Sequence, residues 1–520
     1  MPRPRSSPVS LRIAPFDQHN EHLVANVHPP TWQNPRTDGV YDLVVVGAGT
    51  AGLVTSLLAS SLGAKTALIE RHLMGGDCLN VGCVPSKAVI RAAHYVHEAR
   101  EAAKLGLGGE SSGLPDFAKA MERMREIRAR ISHEDSAKRY TEEFGVDVHL
   151  GDAEFTSRNT IAVGEQTLRF RRAVIASGAR AAAPPIPGLA DAGYLDNETV
   201  FRLTERPRRL AVIGAGPIGC ELAQSFRRLG SEVTILEMSP QILTREDADA
   251  AAIVQNALAR DGVDLWFEVK LERVEKRGAE KLVHVTDKAG RARVLAVDEI
   301  LVGAGRAPNV TGMGLEVAGV DYDARLGVKV DDFLRTSNPH IYAAGDVCMA
   351  WKFTHAADAA AKIVVQNALF SFGPFGKQRL SRLVMPWCTY TAPEIAHVGM
   401  YERDAQAKGI AIDTYQVPIT RANRAVTDGA EEGFVKVHVR KGTDEIVGAT
   451  IVAAHAGDLI TQYTLAITQG IGLGAFTRVI YPYPTQGEAL KGVAGLYTRT
   501  RLTPFAKRAL GAIVKLKRAV

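Results

Sequence analysis

Residues 41–70 read YDLVVVGAGTAGLVTSLLASSLGAKTALIE: an apolar run, a glycine turn, a helical pattern and a second apolar run that ends in an acid. The pattern predicts one βαβ unit, because two parallel strands need a crossover helix between them. Gly47, Gly49 and Gly52 form a GxGxxG turn, and Glu70 stands at the tip of the second strand. A single copy of this motif fits many glycine turns, so its meaning depends on the rest of the chain.

The same arrangement returns at residues 208–237, RRLAVIGAGPIGCELAQSFRRLGSEVTILE. Gly214, Gly216 and Gly219 repeat the glycine spacing, and Glu237 repeats the terminal acid at the same distance. The glycines of such a turn let the backbone approach a pyrophosphate, the helix N-terminus attracts its charge, and the acid accepts a ribose hydroxyl. Two copies in this context predict two dinucleotide sites.

Three further apolar runs end in glycine or acidic turns: AVIASGARAAAPPIPG (173–188), ILVGAGRAPN (300–309) and HIYAAGDV (340–347). Such turns suit phosphate or ribitol contacts at the carboxyl edge of a parallel sheet. From about Pro386 the pattern changes to alternating strands followed by helices. This change predicts a separate α+β domain at the C-terminus.

Composition narrows the class of protein. The chain has 520 residues and 46% hydrophobic content, enough for several cores. No stretch has the pattern of a secretory signal or an apolar run of about 18 residues, so we expect a cytoplasmic protein. The 63 basic and 57 acidic residues are mixed along most of the chain, which argues against a nucleic-acid partner. Residues 1–39 are rich in proline and show no helical or strand periodicity, which predicts an extended arm or a partly disordered leader.

Two of the five cysteines stand close together in GGDCLNVGCVPSK, residues 75–87. Five residues of regular helix rise by about 7.5 Å, whereas a disulfide needs Cα atoms roughly 4.4–6.8 Å apart. Cys78 and Cys83 can therefore pair only if the backbone bends between them, and Gly82 offers that freedom. Pro85 fits the first turn of a helix, which would put Cys83 at a helix N-terminus, where the dipole favours a thiolate.

Three interpretations of the pair compete: a buried structural pair, half of a zinc site, and a redox-active disulfide. Zinc would need two further ligands, and no second CxxC or HxxxH motif is evident. We therefore expect no metal site. The structural and redox interpretations remain open on spacing alone, and the two dinucleotide motifs favour the redox one.

The motifs taken together point to a family. GAGTAG with Glu70, CLNVGCVPSK, ASGAR, GAGPIGCE with Glu237, GAGRAPN and AAGDV occur in one order along residues 40–495. In this series the chain resembles the flavin disulfide reductases of the pyridine nucleotide family, which include dihydrolipoamide dehydrogenase, glutathione reductase and mercuric reductase. The resemblance implies an FAD site in the first βαβ unit, a nicotinamide site in the second, and a homodimer.

The resemblance also implies an architecture. The predicted fold is α/β, with two doubly wound nucleotide-binding domains, for FAD and NAD(P), and a C-terminal α+β dimerisation domain. The predicted boundaries are an N-terminal arm (1–39), the first part of the FAD-binding domain (40–188), the NAD(P)-binding domain (189–312), a central FAD-binding part (313–380), the dimerisation domain (381–498) and a basic tail helix (499–520).

Site residues carry over by motif position. Cys83 would be the flavin-side thiolate that forms a charge-transfer contact, and Cys78 the interchange thiol that meets the substrate. Lys87 and Glu221 would form an ion pair near the reactive nitrogen of the flavin, although charges on solvated helix faces are the more common reading of such residues. The implied cofactor-binding residues are Gly47, Gly49, Gly52, Glu70, Gly76, Lys87, Ala153, Ser177, Gly178, Gly214, Gly216, Gly219, Glu237, Gly305, Asp346 and His355.

The carboxylate of Glu237 should accept the ribose 2′-hydroxyl of NADH and repel the extra phosphate of NADPH. We therefore expect NADH as the electron donor. NADPH stays open as a donor because Arg245 lies close by in the sequence.

The segment YPYPTQGEALKG, residues 481–492, departs from the dithiol-using members, which place an acid-base histidine and a glutamate here. Tyr483 occupies the histidine position, while Glu488 keeps the acid. A phenol, with an ordinary pKa of about 10, is a poor proton shuttle at neutral pH. Tyrosine at this position resembles the mercuric reductase branch, although no cysteine pair follows Cys388 and no CxxC occurs in residues 1–39.

The acceptor stays open between several classes. The nearest named activity is mercuric reductase-like transfer to a thiol-reactive small molecule or metal ion. The alternatives are a dihydrolipoamide dehydrogenase-like disulfide reductase, an NADH:quinone reductase, and a flavoprotein whose redox state governs partner binding. The tail FAKRALGAIVKLKRAV is compatible with contact to an anionic membrane surface, although an exposed terminal helix is the more common outcome.

Overall fold

The computed structural model describes residues 13–107, 115–303, 305–373 and 375–518. The chain forms two compact units, each made of several segments. Unit 1 comprises Met1–Gly214, Ser225–Leu236 and Val269–Leu383, and unit 2 comprises Ala215–Gln224, Glu237–Glu268 and Val384–Val520. The first twelve residues of the predicted N-terminal arm and the last two of the predicted tail lie outside the described residues.

The strands, in chain order, are β1 (Val40–Val46), β2 (Thr66–Glu70), β3 (Asp147–Leu150), β4 (Ala153–Ser157), β5 (Thr160–Val163), β6 (Gln166–Ile175), β7 (Ala179–Ala181), β8 (Arg209–Ile213), β9 (Glu232–Leu236), β10 (Asp264–Trp266), β11 (Lys270–Arg277), β12 (Glu280–Thr286), β13 (Ala292–Val297), β14 (Glu299–Val302), β15 (Arg306–Pro308), β16 (Tyr322–Asp323), β17 (Gly327–Val328), β18 (Ile341–Ala343), β19 (Pro386–Thr389), β20 (Glu394–Gly399), β21 (Ile412–Pro418), β22 (Phe434–Arg440) and β23 (Ile446–Ala453).

The helices are α1 (Gln18–Val27), α2 (Thr50–Ser61), α3 (Gly76–Asn80), α4 (Cys83–Lys104), α5 (Phe117–Ile131), α6 (Ala137–Glu142), α7 (Leu189–Ala192), α8 (Pro217–Arg228), α9 (Ala248–Asp261), α10 (Leu315–Ala318), α11 (Thr354–Val365), α12 (Glu402–Ala407), α13 (Asn423–Thr427), α14 (Ala456–Gln469), α15 (Glu488–Thr500) and α16 (Pro504–Arg518).

The main sheet of unit 1 has the strand order β3-β2-β1-β6-β5-β4, and β18 also pairs with β6. Strands β1, β2, β3, β6 and β18 pair with one another in parallel, whereas β4 and β5 add an antiparallel extension beyond β6. Their apolar residues are buried in continuous runs, as expected of parallel strands that are covered on both faces. The chain order reverses on either side of β1, so a crevice for a ligand is expected outside the carboxyl ends of β1 and β6.

The second βαβ unit repeats the first. Strands β8 and β9 pair in parallel, and β14 adds to the other side of β8. Strands β11, β12 and β13 form a separate antiparallel sheet in unit 1. Both βαβ units predicted from the sequence are therefore confirmed.

Unit 2 contains an antiparallel sheet of order β19-β20-β23-β22-β21. Helices α14 and α15 cover it, and residues from both helices share one core with the sheet. The sheet begins at Pro386, where the sequence predicted a change of domain type. The predicted fold class, α/β with a C-terminal α+β domain, is confirmed. No described helix is both long and apolar enough to cross a membrane.

The prediction for residues 1–39 was wrong over Gln18–Val27, which form α1. The side chain of Asp17 caps this helix by accepting a hydrogen bond from the Asn20 N–H at 2.9 Å. Leu23, Val24 and Val27 are buried on one face at helical spacing. This signal was obscured by the prolines on both sides of a short helix.

Helix α1 is tied to the rest of unit 1 through the buried guanidinium of Arg128. One of its nitrogens donates to Asn20 Oδ1 at 2.6 Å, and another donates to the carbonyl oxygen of Asn80 at 2.7 Å. Burial lowers the pKa of Arg128 to about 10, with the neighbouring Arg125 acting in the same direction. Asn80 is the last residue of α3, which carries Cys78, so the N-terminal helix supports the cysteine segment through one buried cation.

We expect Asn20→Ala to destabilise the fold by about 1.5–3 kcal/mol, because it removes a hydrogen bond to a buried charged group. Urea unfolding should show a lower midpoint. His22→Ala is the matched control, since His22 is exposed on the same helix and should leave the midpoint unchanged. Equal midpoints for the two variants would contradict a supporting role for the Asn20–Arg128 contact.

Candidate active site

The three glycines of the first motif have different structural roles. Gly47 has φ +102°, and a Cβ there would lie 2.4 Å from the carbonyl oxygen of Ala176. A Cβ on Gly52 would lie 1.8 Å from the Gly47 carbonyl oxygen, so helix and turn pack too closely for any side chain. A Cβ on Gly49 would have Gly76 Cα, at 3.8 Å, as its nearest neighbour. Protein packing therefore explains Gly47 and Gly52, whereas Gly49 keeps space open before α2.

That same turn carries the start of the cysteine segment. The N–H of Gly75 donates to the carbonyl oxygen of Ala48 at 2.8 Å. Gly76 has φ +54°, and a Cβ there would lie 2.6 Å from Gly49 Cα. Backbone contacts of this kind fix the start of α3 against the dinucleotide turn.

The acid at the end of β2 is held by two backbone donors. Glu70 Oε2 accepts from the Ala48 N–H at 2.7 Å, and Oε1 accepts from the His72 N–H at 2.8 Å. Burial raises the pKa of Glu70, and these two hydrogen bonds oppose that shift. The carboxylate is thereby oriented with lone pairs left over, which suits a ribose diol.

The second motif repeats this geometry. Glu237 Oε2 accepts from the Ala215 N–H, and Oε1 accepts from the Ser239 N–H, both at 2.8 Å. Gly214 has φ +96°, close to the value at Gly47. A Cβ on Gly216 would meet no heavy atom within 4 Å, which again leaves the middle glycine open toward a ligand.

The cysteine segment bends at Gly82, as the sequence predicted. Cys78 lies in α3 and Cys83 is the first residue of α4. A Cβ on Gly82 would lie 2.7 Å from the carbonyl oxygen of Asp77, so only glycine fits between the two helices. Pro85 lies in the first turn of α4, as predicted. Cys83 therefore stands at the N-terminus of a long helix, where the macrodipole favours a negative sulfur.

The two cysteines are thiols in this structure, and their sulfurs interact. The hydrogen bond with Cys83 raises the pKa of Cys78 well above its usual range, and burial adds to the shift. Cys83 Sγ also lies 3.3 Å from the hydroxyl oxygen of Thr354. Cys78 is thus held as a thiol that hydrogen-bonds to Cys83.

A charge cluster surrounds this segment. The guanidinium of Arg306 contacts the carboxylate of Asp77, next to Cys78, and donates to the carbonyl oxygen of Ala179 at 2.9 Å. Its Nε lies 3.3 Å from Asp346 Oδ2. Burial raises the pKa of Asp346, whereas Arg306 lowers it. One cation thus bridges Asp77, beside Cys78, and Asp346 in the AAGDV turn.

These residues fit a flavin dinucleotide. Gly49 leaves space before α2, Glu70 is oriented for a ribose, and a Cβ on Gly178 would meet no heavy atom within 4 Å. The Ser177 hydroxyl donates to the carbonyl oxygen of Asn309 at 2.8 Å, which fixes the turn after β6. These residues would hold the dinucleotide along the carboxyl edge of the main sheet.

The roles of several predicted residues stay predictions. Lys87 lies in α4 of unit 1, while Glu221 lies in α8 within unit 2, where its Oε1 accepts from the Tyr390 N–H at 2.8 Å. The Lys87–Glu221 ion pair therefore stays a prediction. Ala153 begins β4 and Gly305 precedes β15, and their cofactor contacts stay predictions as well.

Three residues of the site were missed from the sequence. Thr354 contacts Cys83. The sequence instead predicted the next residue, His355, at the cofactor site, and its exposed ring stacks on Phe353. Asp77 and Arg306 both lie inside quoted motifs, but their contact joins positions 229 residues apart. The sequence signal for these two residues was that each is a charged residue within a family motif.

Tyr483 and Glu488 lie in unit 2. Tyr483 is 70% exposed, and its hydroxyl accepts a hydrogen bond from Asn423 Nδ2 at 3.1 Å. Glu488 is the first residue of α15. Its Oε2 is buried without a hydrogen-bond partner among the described residues. The acid of the family pattern is thus present while its usual histidine is replaced.

Comparison with known proteins agrees with this geometry. The profile "Pyridine nucleotide-disulphide oxidoreductase" matches residues 41–361, and the dimerisation-domain profile of the same family matches residues 385–494. The chain belongs to the pyridine nucleotide-disulphide oxidoreductase family. Members of this family depend on FAD and use NAD(P)H, so the protein is a flavoprotein oxidoreductase with a dimerisation domain.

Several members of the family are similar over most of the chain. A mercuric reductase from Bacillus cereus is 35% identical over 451 residues, which cover 87% of this chain and 70% of that protein. A dihydrolipoyl dehydrogenase from Thermus scotoductus is 33% identical over 465 residues, which cover 87% of this chain and 96% of that protein.

Among solved structures, the HOCl-induced flavoprotein disulfide reductase RclA from Escherichia coli aligns with a TM-score of 0.78 at 28% identity, over 88% of this chain and all of that one. LpdA from Mycobacterium tuberculosis aligns with a TM-score of 0.80 at 26% identity, again over 88% of this chain. These comparisons establish the oxidoreductase family. They do not identify the electron acceptor of this protein.

We expect Cys83→Ser to lower the pKa of Cys78 by roughly one to three units, because it removes the sulfur that receives the Cys78 hydrogen bond. Anaerobic alkylation of Cys78 by iodoacetamide, followed by mass spectrometry of its peptide, should then proceed at lower pH. Ser86→Ala is the control, since the Ser86 hydroxyl donates to the backbone carbonyl oxygen of Cys83, at 3.3 Å, and not to its sulfur. An unchanged pH profile in Cys83→Ser would contradict the thiol pairing.

We expect Arg306→Met to weaken FAD binding at least about tenfold, because two half-buried carboxylates would lose their shared cation, a loss on the order of 1–3 kcal/mol. Titration of the apoprotein with FAD, followed by flavin fluorescence, measures the dissociation constant. Arg335→Met removes an exposed pairing with Asp331 and should leave the constant unchanged. An Arg306→Met variant with unchanged affinity would refute the bridging role.

Proposed function

We propose that the protein is an FAD-dependent NADH oxidoreductase that passes two electrons through Cys78 and Cys83 to a thiol-reactive acceptor. NADH and one proton reduce the disulfide to two thiols and leave NAD⁺, and the pair returns to the disulfide as the acceptor takes two electrons. Bound FAD supplies the two-electron carrier between the nicotinamide and the sulfur pair. The observation that carries the proposal is the sulfur–sulfur contact at the N-terminus of α4.

The two sulfurs have separate roles in this proposal. Cys83 is exposed, stands at the helix N-terminus and contacts Thr354, which suits the sulfur that faces the flavin as a thiolate. Cys78 stays protonated at neutral pH, because its pKa is raised. We assign Cys78 to the acceptor because it holds the motif position of the family's interchange thiol. Its thiol would release a proton as its sulfur bonds to the acceptor.

The donor is NADH in this proposal. The Glu237 carboxylate is held by the N–H groups of Ala215 and Ser239, so it cannot turn away from a bound ribose at little cost. A 2′-phosphate there would face a fixed negative charge, and like charges placed in contact cost several kcal/mol. The equivalent hydroxyl of NADH would instead donate a hydrogen bond to the carboxylate.

The acceptor is a soft, thiol-reactive species of the kind that mercuric reductases take. Reduction of an organic disulfide needs a proton for the departing sulfur, and the family supplies it from a histidine at the position of Tyr483. Transfer of two electrons to a thiolate-bound soft metal ion needs no such proton. The similarity to mercuric reductases at 35% identity supports this choice.

We expect NADH-dependent turnover with Hg(II) to exceed turnover with lipoamide disulfide and with a soluble quinone. Cys78→Ser and Cys83→Ser should each reduce Hg(II) turnover to background, because both remove a sulfur from the electron path. Cys388→Ser is the control, since this half-buried cysteine lies by Glu394 in unit 2 and has no assigned role. Steady-state oxidation of NADH, followed by its absorbance, provides the measurement.

Two outcomes would redirect the assignment. Dominant lipoamide turnover in the wild type would favour a dihydrolipoamide dehydrogenase-like enzyme, and Tyr483→His would then have little effect on it. Quinone turnover that survives in both cysteine variants would make the pair dispensable and contradict the proposal.

We expect Glu237→Ala to raise kcat/KM for NADPH relative to NADH at least about tenfold, because the variant removes a fixed negative charge near the 2′-position. Glu232→Ala is the control, since Glu232 is exposed at the start of β9 and pairs with Arg208. A wild type that prefers NADPH, or an unchanged ratio in Glu237→Ala, would refute the assigned role of Glu237.

A further inference from the structure

The helix α16 (Pro504–Arg518) lies beyond the matched dimerisation profile, which ends at residue 494. Every residue of α16 except Ala506 is exposed. Its large apolar side chains are among them, at exposed fractions from 51% to 75%: Phe505, Leu510, Ile513, Val514 and Leu516. A series of exposed apolar side chains on one element marks an interaction surface.

The side chains of α16 separate into two faces. At about 100° per residue, the five apolar side chains fall within an arc of roughly 180°. Lys507, Arg508, Lys515 and Arg518 fall within the opposite arc of roughly 100°. Lys517 falls within the apolar arc, but it lies in the last turn of the helix, where its long side chain can extend away from the apolar face. Helix α16 is thus amphipathic, with a broad apolar face and a cationic face.

The charge of the chain is concentrated around this helix. Residues 489–520 hold eight of the 63 Lys and Arg residues and none of the 57 Asp and Glu residues. Residues 1–488 therefore have two more acidic than basic residues, and the whole net charge of +6 arises from this terminal segment. A cationic surface of this kind selects an anionic partner.

We infer that α16 binds the surface of a lipid bilayer that contains anionic head groups. Its apolar face enters the boundary between head groups and acyl chains, while its cationic face contacts the head groups. A nucleic acid would match the charges but would not cover the apolar face. Because the cationic side chains of α16 would be costly in the hydrocarbon core, the helix lies along the surface of the bilayer.

The experiment uses the full-length holoprotein and two kinds of vesicle. One kind contains phosphatidylcholine alone, and the other contains phosphatidylcholine mixed with phosphatidylglycerol. Cosedimentation should occur with the mixed vesicles only and should fall as salt is raised. Leu510→Glu and Ile513→Glu should each lower the bound fraction at least about tenfold, because they place a carboxylate on the face that enters the bilayer.

Leu326→Glu is the matched control, since Leu326 is 78% exposed in unit 1 and should leave vesicle binding unchanged. NADH oxidation with a soluble dye should be the same in all three variants, because none of these residues belongs to the redox site. We expect the two glutamate variants of α16 to reduce the dye normally but to lose vesicle binding. The lipid-binding inference is therefore tested independently of the proposed acceptor, because that proposal can be wrong while α16 still binds lipid.

Four results would overturn the inference. The first is equal binding to neutral and mixed vesicles, and the second is binding to neither. The third is a lower oligomeric state of Leu510→Glu in light scattering, which would assign the apolar face to a second copy of the chain. The fourth is a combination of two findings: Leu510→Glu binds vesicles as well as the wild type does, and the protein also binds a soluble polyanion. This combination would assign the cationic face to a nucleic-acid-like partner.

Discussion

The approach of Gly76 to Gly49 is the constraint on which the active site depends. A Cβ on Gly76 would lie 2.6 Å from Gly49 Cα, so the first residue of α3 packs directly on the middle of the dinucleotide turn. The same turn is fixed from behind, where Gly52 meets the Gly47 carbonyl oxygen. The glycine turn that is predicted to approach a pyrophosphate therefore also positions the cysteine segment.

Charge then determines how the sulfur pair works. The bend at Gly82 brings the thiols together and leaves Cys83 at the N-terminus of α4, while the hydrogen bond to Cys83 keeps Cys78 protonated. An acid beside a redox thiol would disfavour a thiolate, and the contact of Asp77 with Arg306 offsets that effect. Because Arg306 also contacts Asp346, the same cation joins the redox segment to the predicted flavin edge. The surroundings of the pair are thus set both by its own segment and, through Asp77, by Arg306 from a distant part of the chain.

Local signals in the sequence were enough for the two βαβ units, the start of α4 at Cys83 and the change of domain at Pro386. Each rests on apolar runs, glycine spacing or a proline within a few residues. Contacts between distant positions were not predictable in this way: Thr354 meets Cys83 across 271 residues, and Arg306 meets Asp77 across 229. Helix α1 was missed because its stability comes from burial and from Arg128 rather than from a long amphipathic pattern. The Lys87–Glu221 pair, inferred from motif positions alone, remains a prediction.

The central claim is that electrons from NADH reach the Cys78–Cys83 pair. Anaerobic titration of the purified holoprotein with NADH, followed through the flavin absorbance spectrum, tests it most directly. The account predicts that the first equivalent leaves the flavin oxidised and produces a long-wavelength band from a thiolate beside it, a band that Cys83→Ser lacks. Bleaching of the flavin by the first equivalent, without that band and alike in wild type and Cys83→Ser, would contradict the account.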